Sequence, residues 1–386
     1  MPVLNRIAAF APEMTEWRRW LHRHPELEFD LPQTSAFVAA RLREFGVDEV
    51  HEGIARSGIV ALIRGRAPGP VIGLRSDMDA LPVGELTGKV YASETPGRMH
   101  ACGHDGHMAM LLGAAKYLAE TRNFAGTVAL IFQPAEEEGG GGEVMVREGI
   151  MERFGISQVF GMHNAPNLPL GHFQTGPGPV MAAVDSAWVT VTGKGGHGAT
   201  PQVCVDPVVA IVGMVQALQT IVSRNVSAVD QLVVSVTEIH AGSANNIIPE
   251  SGWFGATIRT FDPEIRDLAE ERFRAIIAGQ AAAYGVEVGL RYERGYPPTV
   301  NDPAKAAFAA EVAREVSGPA AVVDDVGRDM GAEDFSYMLE ARPGAFLFLG
   351  IGPGEGLHHP AYDFNDEAAP VGASFFARLV ERALPL

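Results

Sequence analysis

Residues 106–133 read GHMAMLLGAAKYLAETRNFAGTVALIFQ and join a helix rich in small residues to a strand that is apolar along its whole length. The helix, Gly106 to Glu120, carries glycines and alanines that allow close packing. The strand TVALIFQ, residues 127–133, lacks the alternation of polar and apolar residues expected when one face meets water, which indicates that both faces are covered. A helix followed by such a strand is typical of an α/β fold with a largely parallel sheet.

The same alternation continues on both sides of this stretch. Further strands of the α/β pattern are predicted for SGIVALI, PVIGLRSD, QVFGMH and GAFLFLGIG, and helices near 7–23, 34–45, 144–150, 303–316 and 366–384. From about residue 185 the order becomes strand, helix, strand, strand, helix, strand, which is the ferredoxin-like βαββαβ unit. We therefore predict a catalytic α/β domain built from residues 1–183 and 295–386, interrupted by a smaller βαββαβ domain at 184–294.

Composition and charge exclude several classes of protein. The sequence contains 30 lysines and arginines and 47 aspartates and glutamates, which gives a formal net charge of −17. Nucleic acid is therefore not an expected partner. No apolar run approaches the roughly 20 residues that cross a bilayer, and no secretory signal is visible at the N-terminus. Two cysteines are too few for a disulfide framework. We expect a cytoplasmic globular protein without a membrane partner.

The loop before the helix carries the most informative side chains. Residues 99–110, MHACGHDGHMAM, hold one cysteine and three histidines. Thiolates and imidazoles are the ligands that borderline-soft divalent metals prefer, and Cys102 and His104 are two positions apart. His100 and His107 are weaker candidates, since each also fits a hydrogen-bonding role beside a ligand. The plain alternative is a helix start with incidental histidines.

An acidic loop follows the strand TVALIFQ. Glu136, Glu137 and Glu138 are consecutive, and adjacent carboxylates repel one another unless a cation or solvent takes up the charge. A solvated acidic turn is the alternative. The position favours chemistry, because open α/β sheets place their sites at the carboxyl ends of strands.

Two further loops contribute histidines. His163 follows the strand QVFGMH, and His358 and His359 lie in the late loop GLHHPAYDF. Each would be an ordinary loop residue by itself. With the cysteine loop and the acidic loop they form a widely spaced set of nitrogen, oxygen and sulfur ligands, which is typical of catalytic rather than structural metal sites.

The chain resembles, over nearly its whole length, the dinuclear-metal aminoacylase and carboxypeptidase family, most closely its branch of hippurate hydrolases and auxin-conjugate amidohydrolases. The matching stretches, in chain order, are LHRHPEL, SDMDALP, SETPGRMHACGHDGH, FQPAEE, GMHNAP, GKGGHGATP, NIIPE, GATIRTFD, GAEDF and LHHPAYDFNDEA. The resemblance implies that the inserted domain is a dimerisation or lid domain. It also implies two divalent ions per subunit, of zinc, manganese, nickel or cobalt, held by Cys102, His104, Glu137, His163 and His358.

The resemblance also implies roles for residues outside the ligand set. Glu136 matches the general base, and His197 matches a residue that reaches the partner subunit's site to stabilise the oxyanion. Asn246 and Arg259 match positions that hold the carboxylate end of the substrate. Asp79, which follows an apolar strand, is a candidate for orienting a metal ligand by a hydrogen bond.

Each of these outlying assignments has a plain alternative. His197 fits a surface histidine in a glycine-rich turn, and Asn246 fits a turn residue. Arg259 fits an ordinary ion-paired strand residue. Two departures from the pattern bear on specificity: Glu138 stands where many relatives have glycine, and Ala165 stands where others have an aromatic residue. Glu138 either changes the metal preference or faces solvent.

The expected function is hydrolysis of the amide bond of N-acyl amino acids, such as hippurate-like, N-acetyl or indole-acetyl conjugates, by water activated at the metals with Glu136 as base. A homodimer is expected if His197 acts across subunits. The nearest alternative is a dipeptidase or another small-amide hydrolase of the same family. A non-catalytic metal-bound binding protein is disfavoured, because such a protein does not need a general base beside its ligand.

Overall fold

The computed structural model describes residues 4–386, which divide into two compact units. The first unit comprises the chain up to Val180 together with Thr299–Gly327 and Asp334–Leu386, and the second comprises Met181–Pro298 and Arg328–Glu333. The short segment Arg328–Glu333 lies outside the 184–294 range drawn from the sequence. It clusters with the second unit because Met181 bridges to Asp329 and the Ala182 N–H bonds to the carbonyls of Asp329 and Gly331.

Most helices lie close to their predicted positions, but the helix predicted at 144–150 is two short helices that are separated at Glu148 and Gly149, and the helix Ser336–Ala341 was not predicted. They are α1 Asn5–Arg23, α2 Pro32–Glu44, α3 His104–Thr121, α4 Gly141–Arg147, α5 Ile150–Arg153, α6 Pro207–Thr220, α7 Pro263–Tyr284, α8 Pro303–Ser317, α9 Ser336–Ala341 and α10 Ala369–Ala383. An Asp-Pro pair starts each of α6, α7 and α8. The aspartate side chain accepts hydrogen bonds from main-chain N–H groups of the first turn. Proline suits the first helical position, because a main-chain N–H there would have no partner within the helix. Short 3-10 turns cover Pro201–Val203, Pro319–Ala321 and Asp366–Ala368, and a π turn, Ile221–Asn225, extends α6.

The strands include all of the predicted ones and several short additional ones. They are β1 Glu49–Ile54, β2 Gly58–Arg64, β3 Ala67–Asp77, β4 Ala125–Gln133, β5 Ile156–Ala165, β6 Phe173–Gln174, β7 Gly178–Met181, β8 Ala183–Thr192, β9 Gly196–His197, β10 Leu232–Ala241, β11 Ile247–Ile248, β12 Ser251–Thr260, β13 Glu287–Arg294, β14 Thr299–Asn301, β15 Val322–Val323 and β16 Gly344–Gly350. The additional ones are two to four residues long or, like β1, largely polar and half-exposed, so they carry little periodicity.

The first unit is built on an eight-stranded sheet. Its order is β1-β2-β4-β3-β5-β16-β6-β15, and the central strands β4, β3, β5 and β16 are parallel to one another. Helices α1, α3, α8 and α10 pack together and contribute to the same apolar core as the sheet. A mainly parallel sheet with helices is the predicted α/β class. The carboxyl ends of its central strands are the edge at which a site is expected.

The second unit has a four-stranded antiparallel sheet in the order β10-β12-β8-β13. With α6 and α7 between the strands, this is the ferredoxin-like βαββαβ arrangement. Both helices pack on one face, where alternate residues of β12 such as Phe254, Ala256 and Ile258 are buried. The other face carries half-buried Trp253, Thr257 and Arg259.

One sequence expectation needs correction. Among the described residues, one helix is long and apolar enough to cross a membrane by length and composition alone. It is Pro207–Asn225, which combines α6 with the π turn that extends it. Glutamines at 216 and 219 interrupt the apolar run in the sequence, which is why it escapes notice there. One face of α6 lies in the core of the second unit through Ala210, Ile211, Met214 and Leu218, as expected of a core helix.

Candidate metal centre

The candidate ligands lie in three loops and one strand end at the carboxyl ends of neighbouring parallel strands. The loop after β3 carries Asp79 and runs on to Cys102 and His104, and the loop after β4 carries Glu136 and Glu137. His163 lies near the carboxyl end of β5 itself, and His358 lies in the loop after β16. Because β4, β3, β5 and β16 are adjacent in the sheet, these side chains converge at one edge, as open α/β sheets require of their sites.

His104 starts α3, and its ring orientation is fixed. Its Nδ1–H donates to the main-chain carbonyl of Asp79 at 2.8 Å, so in the neutral ring the lone pair is on Nε2. This Nε2 is buried and has no hydrogen-bond partner among residues 4–386. An imidazole fixed through one nitrogen, with the other nitrogen bare, has the arrangement of a metal ligand.

Gly103 sets the turn between the two ligands of this loop. Its φ is 88°, in the left-handed region that favours glycine. A Cβ at this position would collide with Nδ2 of Asn164 and the hydroxyl of Tyr362. The turn therefore requires glycine both for its backbone conformation and for space, and it holds Cys102 and His104 on the same cluster.

Asp79 orders the acidic loop. Its two carboxylate oxygens accept the main-chain N–H groups of Glu136 and Glu137 at 3.0 and 3.1 Å. The same residue accepts the His104 Nδ1–H through its carbonyl. Asp79 thus connects one imidazole ligand candidate to both glutamates, in agreement with an orienting role. Glu138 is exposed and belongs to none of the candidate metal groups in the described chain, so it faces solvent.

His163 and His358 contact different members of the ligand set. His163 donates its Nδ1–H to the Asn164 carbonyl at 2.7 Å, and its Nε2 lies 3.3 Å from Cys102 Sγ. His358 has a left-handed φ of 64°, and its Nε2 lies 3.4 Å from Glu137 Oε2. Its neighbour His359 is exposed, and its Nδ1 accepts the Ala361 N–H. Of the two adjacent histidines, His358 therefore contacts the ligand set, whereas His359 bonds its own loop.

Two groups of side chains share the Cys102 thiol. Cys102, His104 and His163 form one group whose ligand atoms lie within 4.8 Å of one another, and Cys102, Glu137 and His358 form another. Glu137 Oε1 is buried and, like Nε2 of His104, has no hydrogen-bond partner within the described residues. Unpaired buried polar atoms are costly. A thiolate, three imidazoles and a carboxylate are donors that suit divalent metals, so the residues present fit a pair of such ions.

The electrostatics of the cluster also favour cations. Burial disfavours a charged His104 ring, but Asp77 and Asp79 outweigh it and raise the pKa of His104 to about 10. Burial and the carboxylates of Glu137 and Glu136 raise the pKa of the Cys102 thiol. Since nearby carboxylates stabilise any positive charge, a divalent ion would gain from them and would convert the thiol to thiolate.

Sequence reasoning offered a hydrogen-bonding role for His107 but missed the network behind the ligands to which it belongs. His107 donates its Nδ1–H to Asp77 at 2.6 Å, and its Nε2 accepts the Asn164 N–H at 2.9 Å. Both nitrogens are used, so His107 supports the ligands rather than joining them. Arg75, 1 % exposed, bonds Asp77 at 2.8 Å and Asp334 at 2.9 Å. A charged residue inside the apolar strand PVIGLRSD was the available signal. His100 is buried and lies outside the candidate metal groups found in the described chain.

The remaining predicted residues belong to the second unit. His197 in β9 pairs with Ile247 in β11, and the Asn246 carbonyl accepts the Gly198 N–H at 2.8 Å, so His197 and Asn246 are neighbours. The His197 Nδ1 accepts the Ala199 N–H at 3.0 Å, which leaves the exposed Nε2 as the proton-bearing nitrogen of the neutral ring. His197 therefore presents a hydrogen-bond donor to solvent.

Arg259 lies on the face of the second sheet that is not covered by helices. Its Nε bonds the Thr257 hydroxyl at 3.3 Å, and no carboxylate partner is found for it in the described residues. Burial lowers the pKa of Arg259. A half-buried guanidinium without an acidic neighbour can accept an anionic ligand, which argues against the alternative of an ordinary ion pair.

The sequence profile of peptidase family M20/M25/M40 matches residues 73–382, a range that contains every cluster residue described above. The chain belongs to this family. Among M20 relatives, it is 40% identical to the hippurate hydrolase of Campylobacter jejuni, covering 100% of both chains. It is 38% identical to the N-acetylcysteine deacetylase of Bacillus subtilis, covering 96% of this chain and 97% of that protein.

A solved M20 structure shares the architecture as well as the sequence. The Bacillus subtilis YXEP protein, a dinuclear metal-binding peptidase, superposes with a TM-score of 0.85 at 35% identity, covering 98% of this chain and 99% of that one. The resemblance found in the sequence motifs is therefore confirmed, and so are the fold class and the enzyme class. The chain is a metal-dependent amidohydrolase of the M20 family.

Proposed function

We propose that this enzyme hydrolyses the amide bond of N-acyl amino acids and releases an acid and an amino acid. The observation that carries the proposal is the ligand cluster, in which Cys102, His104 and His163 are buried, with Glu136 beside it at the carboxyl edge of the parallel sheet. The relatives named hippurate hydrolase and N-acetylcysteine deacetylase support this substrate class, because each name denotes an amino acid that carries an acyl group on nitrogen.

The ligand assignment is part of the proposal. One ion would be held by Cys102, His104 and His163, and a second by Cys102, Glu137 and His358. Two divalent ions there supply Lewis acidity that polarises an amide carbonyl and lowers the pKa of water. The donor set suits zinc, nickel, cobalt and manganese, with the thiolate favouring the softer ions.

Glu136 acts as general base and acid in this proposal. Its carboxylate lies 4.0 Å from His104 Nε2, and its backbone is fixed through Asp79. It accepts a proton from the attacking water and donates it to the leaving amine, which would otherwise depart as an unstable anion. Glu137 is a ligand instead, because its carboxylate faces His358 and His104, which hold its pKa below the usual range against the effect of burial.

The second unit supplies the groups that bind substrate. Arg259 would pair with the substrate carboxylate, and Asn246 would donate a hydrogen bond near it. His197 would donate from Nε2 to the negative oxygen of the tetrahedral intermediate, in the site of a partner subunit. A homodimer is part of this proposal. A cytoplasmic location is also proposed, since Cys102 acts as a ligand only as a thiolate and both cysteines are free.

The test is amine release from a panel of small amides by protein that has been stripped with a chelator and reloaded with zinc, manganese, cobalt or nickel. The panel contains N-acetyl, N-benzoyl and indole-acetyl amino acids together with dipeptides. It also contains hippurate beside its C-terminal amide, a pair that isolates the role of the free carboxylate.

Metal-dependent turnover of N-acyl amino acids, with the C-terminal amide much poorer than hippurate, is the expected result. Preference for dipeptides would replace the proposal by the dipeptidase alternative. Metal binding without turnover of any member would contradict the proposed substrate class.

A further inference from the structure

The end of α1 and the residues after it carry buried polar side chains that the proposed reaction does not use. This 18–27 segment, RRWLHRHPEL, contains Arg18 and His22, both 0 % exposed, and Glu26, which is 5 % exposed. Burying charged groups is unfavourable unless each has a partner, so their partners indicate what they do.

His22 contacts the residue that follows a ligand candidate. Its Nδ1 donates to Asp105 Oδ2 at 2.8 Å, and Asp105 comes directly after His104 in the first turn of α3. Asp105 is fully buried. Burial disfavours a charged His22 ring, but Asp105 outweighs it and raises the pKa of His22 to about 9. The pair is therefore an imidazolium and a carboxylate, the stronger type of hydrogen bond.

Arg18 connects the same carboxylate to the chain beyond His358. Its Nη1 lies 3.5 Å from Asp105 Oδ2 and 3.3 Å from Asp363 Oδ1. Its Nε donates to Asp366 Oδ1 at 2.7 Å. One guanidinium thus ties the start of α3 to the segment that follows the His358 loop.

The other end of the 18–27 segment reaches the second loop that orients ligands. The Glu26 carbonyl accepts the Ala80 N–H at 2.8 Å, and Leu27 bridges to Ala80. Ala80 follows Asp79, which receives the His104 Nδ1–H and both glutamate N–H groups. The Glu26 carboxylate is itself fixed by the N–H groups of Gln33 and Thr34 at the start of α2.

We propose that Arg18 and His22 are positioning residues that set metal affinity by holding Asp105, and with it the His104 end of α3, in place beside the Asp79 loop. The inference rests on the proposed function only in its assignment of His104 as a metal ligand. Partners that orient metal ligands typically contribute 10–100-fold to metal affinity. Without the His22 contact, the first turn of α3 loses its fixed orientation, and the His104 nitrogen no longer matches the other donors.

Two substitutions at position 22 separate this role from general packing. In His22→Asn the side-chain amide nitrogen replaces Nδ1 and keeps the donor to Asp105. In His22→Gln the amide nitrogen replaces Nε2 instead and is directed toward Glu85, which lies 3.4 Å from Nε2. His24→Asn is the matched control, because His24 belongs to the same motif but its Nδ1 donates to the Trp20 carbonyl rather than to Asp105, and its Nε2 lies 3.8 Å from Glu94.

The readout is the zinc dissociation constant of folded, metal-stripped protein in competition with a chromogenic chelator, with the metal-free Tm measured alongside. We expect His22→Gln to weaken zinc binding about 10–100-fold, and His22→Asn and His24→Asn to stay within about threefold of the parent. Equal zinc affinity for His22→Gln and the parent would overturn the proposal, as would equal losses in the two position-22 variants.

A second pair covers the case in which His22→Gln does not fold. Arg18→Lys removes the fork that joins Asp105 to Asp366, whereas Arg19→Lys alters an exposed arginine on the same Asp366. Weaker zinc binding in Arg18→Lys alone supports the proposal, and unchanged binding in both contradicts it. Because zinc affinity is measured without substrate, failure of the parent to hydrolyse N-acyl amino acids would refute the proposed function and leave this result standing.

Discussion

Glu136 and Glu137 are consecutive residues with different surroundings. Both main-chain N–H groups bond the carboxylate of Asp79, so the two backbones are fixed alike. The Glu137 side chain faces His358, whereas Glu136 lies near His104 alone of the three ligand histidines. At the scale of the residue, the division of work between a base and a ligand comes from the direction of each side chain.

We therefore predict that Glu136→Gln lowers kcat by about 10²–10⁴-fold, the usual contribution of a general acid-base group, while zinc affinity changes little. Steady-state kinetics and zinc titration of the same preparation measure both quantities. Glu138→Gln is the matched control, since Glu138 is exposed, and its kcat should equal that of the parent. A Glu136→Gln enzyme that keeps a tenth or more of the parent rate would rule out Glu136 as the base.

The sequence predicted the ligand candidates and offered Asp79 and His107 as supporting residues, but it did not predict the partners of those supports. Cys102, His104 and His163 are recognisable from residue type and from their places at strand ends. The pairing of His107 with Asp77 and Asn164 was not predictable, because it joins residues distant in the chain through hydrogen bonds. Residue type indicates which side chains can bind a metal. Only the fold determines whether both ring nitrogens of a histidine are already engaged in hydrogen bonds, as they are in His107.

At the scale of the element, local features of the chain determine the residue at which each helix begins. Asp-Pro pairs start α6, α7 and α8, and the start of α8 lies at residue 303, where the sequence predicted it, because the signal is local. The start of α3 is different. It has no side-chain cap, and it depends on the left-handed turn at Gly103 and on the space around it.

Gly103→Ala is predicted to lower the free energy of unfolding by roughly 2–5 kcal/mol. About 1–2 kcal/mol is the cost of placing alanine in a left-handed conformation, and about 1–3 kcal/mol is the cost of the collision of its Cβ with neighbouring atoms. Gly149→Ala is the control for the first contribution, because Gly149 has a φ of 79° with open space around it. Urea unfolding should give Gly149→Ala only the smaller loss. Equal losses in the two variants would show that contact with Asn164 and Tyr362 does not matter.

At the scale of the whole molecule, α6 has an apolar outer face that the second unit does not cover. Val208, Val209, Val212 and Val222 are 37–53% exposed along the helix, while its other side lies in the core. The proposed homodimer offers a reason for this face, since an apolar stripe on a helix normally packs against another surface. The overall division into two units followed from the change of strand and helix order in the sequence.

Val212→Glu is predicted to weaken self-association by at least tenfold, because it removes more than about 1.4 kcal/mol of apolar burial and introduces a charge. Light scattering across a concentration series measures the mass of the assembly. Val229→Glu is the control: Val229 is 87% exposed in the same unit but lies off the helix, so this variant should match the parent. A parent protein that stays monomeric would contradict the proposed dimer.

The position of β16 affects how the protein is made. This strand begins at Gly344, yet it lies between β5 and β6, which the ribosome produces far earlier. During synthesis β5 therefore has an unpaired apolar edge while well over a hundred further residues are added, and such edges promote aggregation. His358 follows later still, so the nascent chain cannot complete its ligand set until residue 358 has been added.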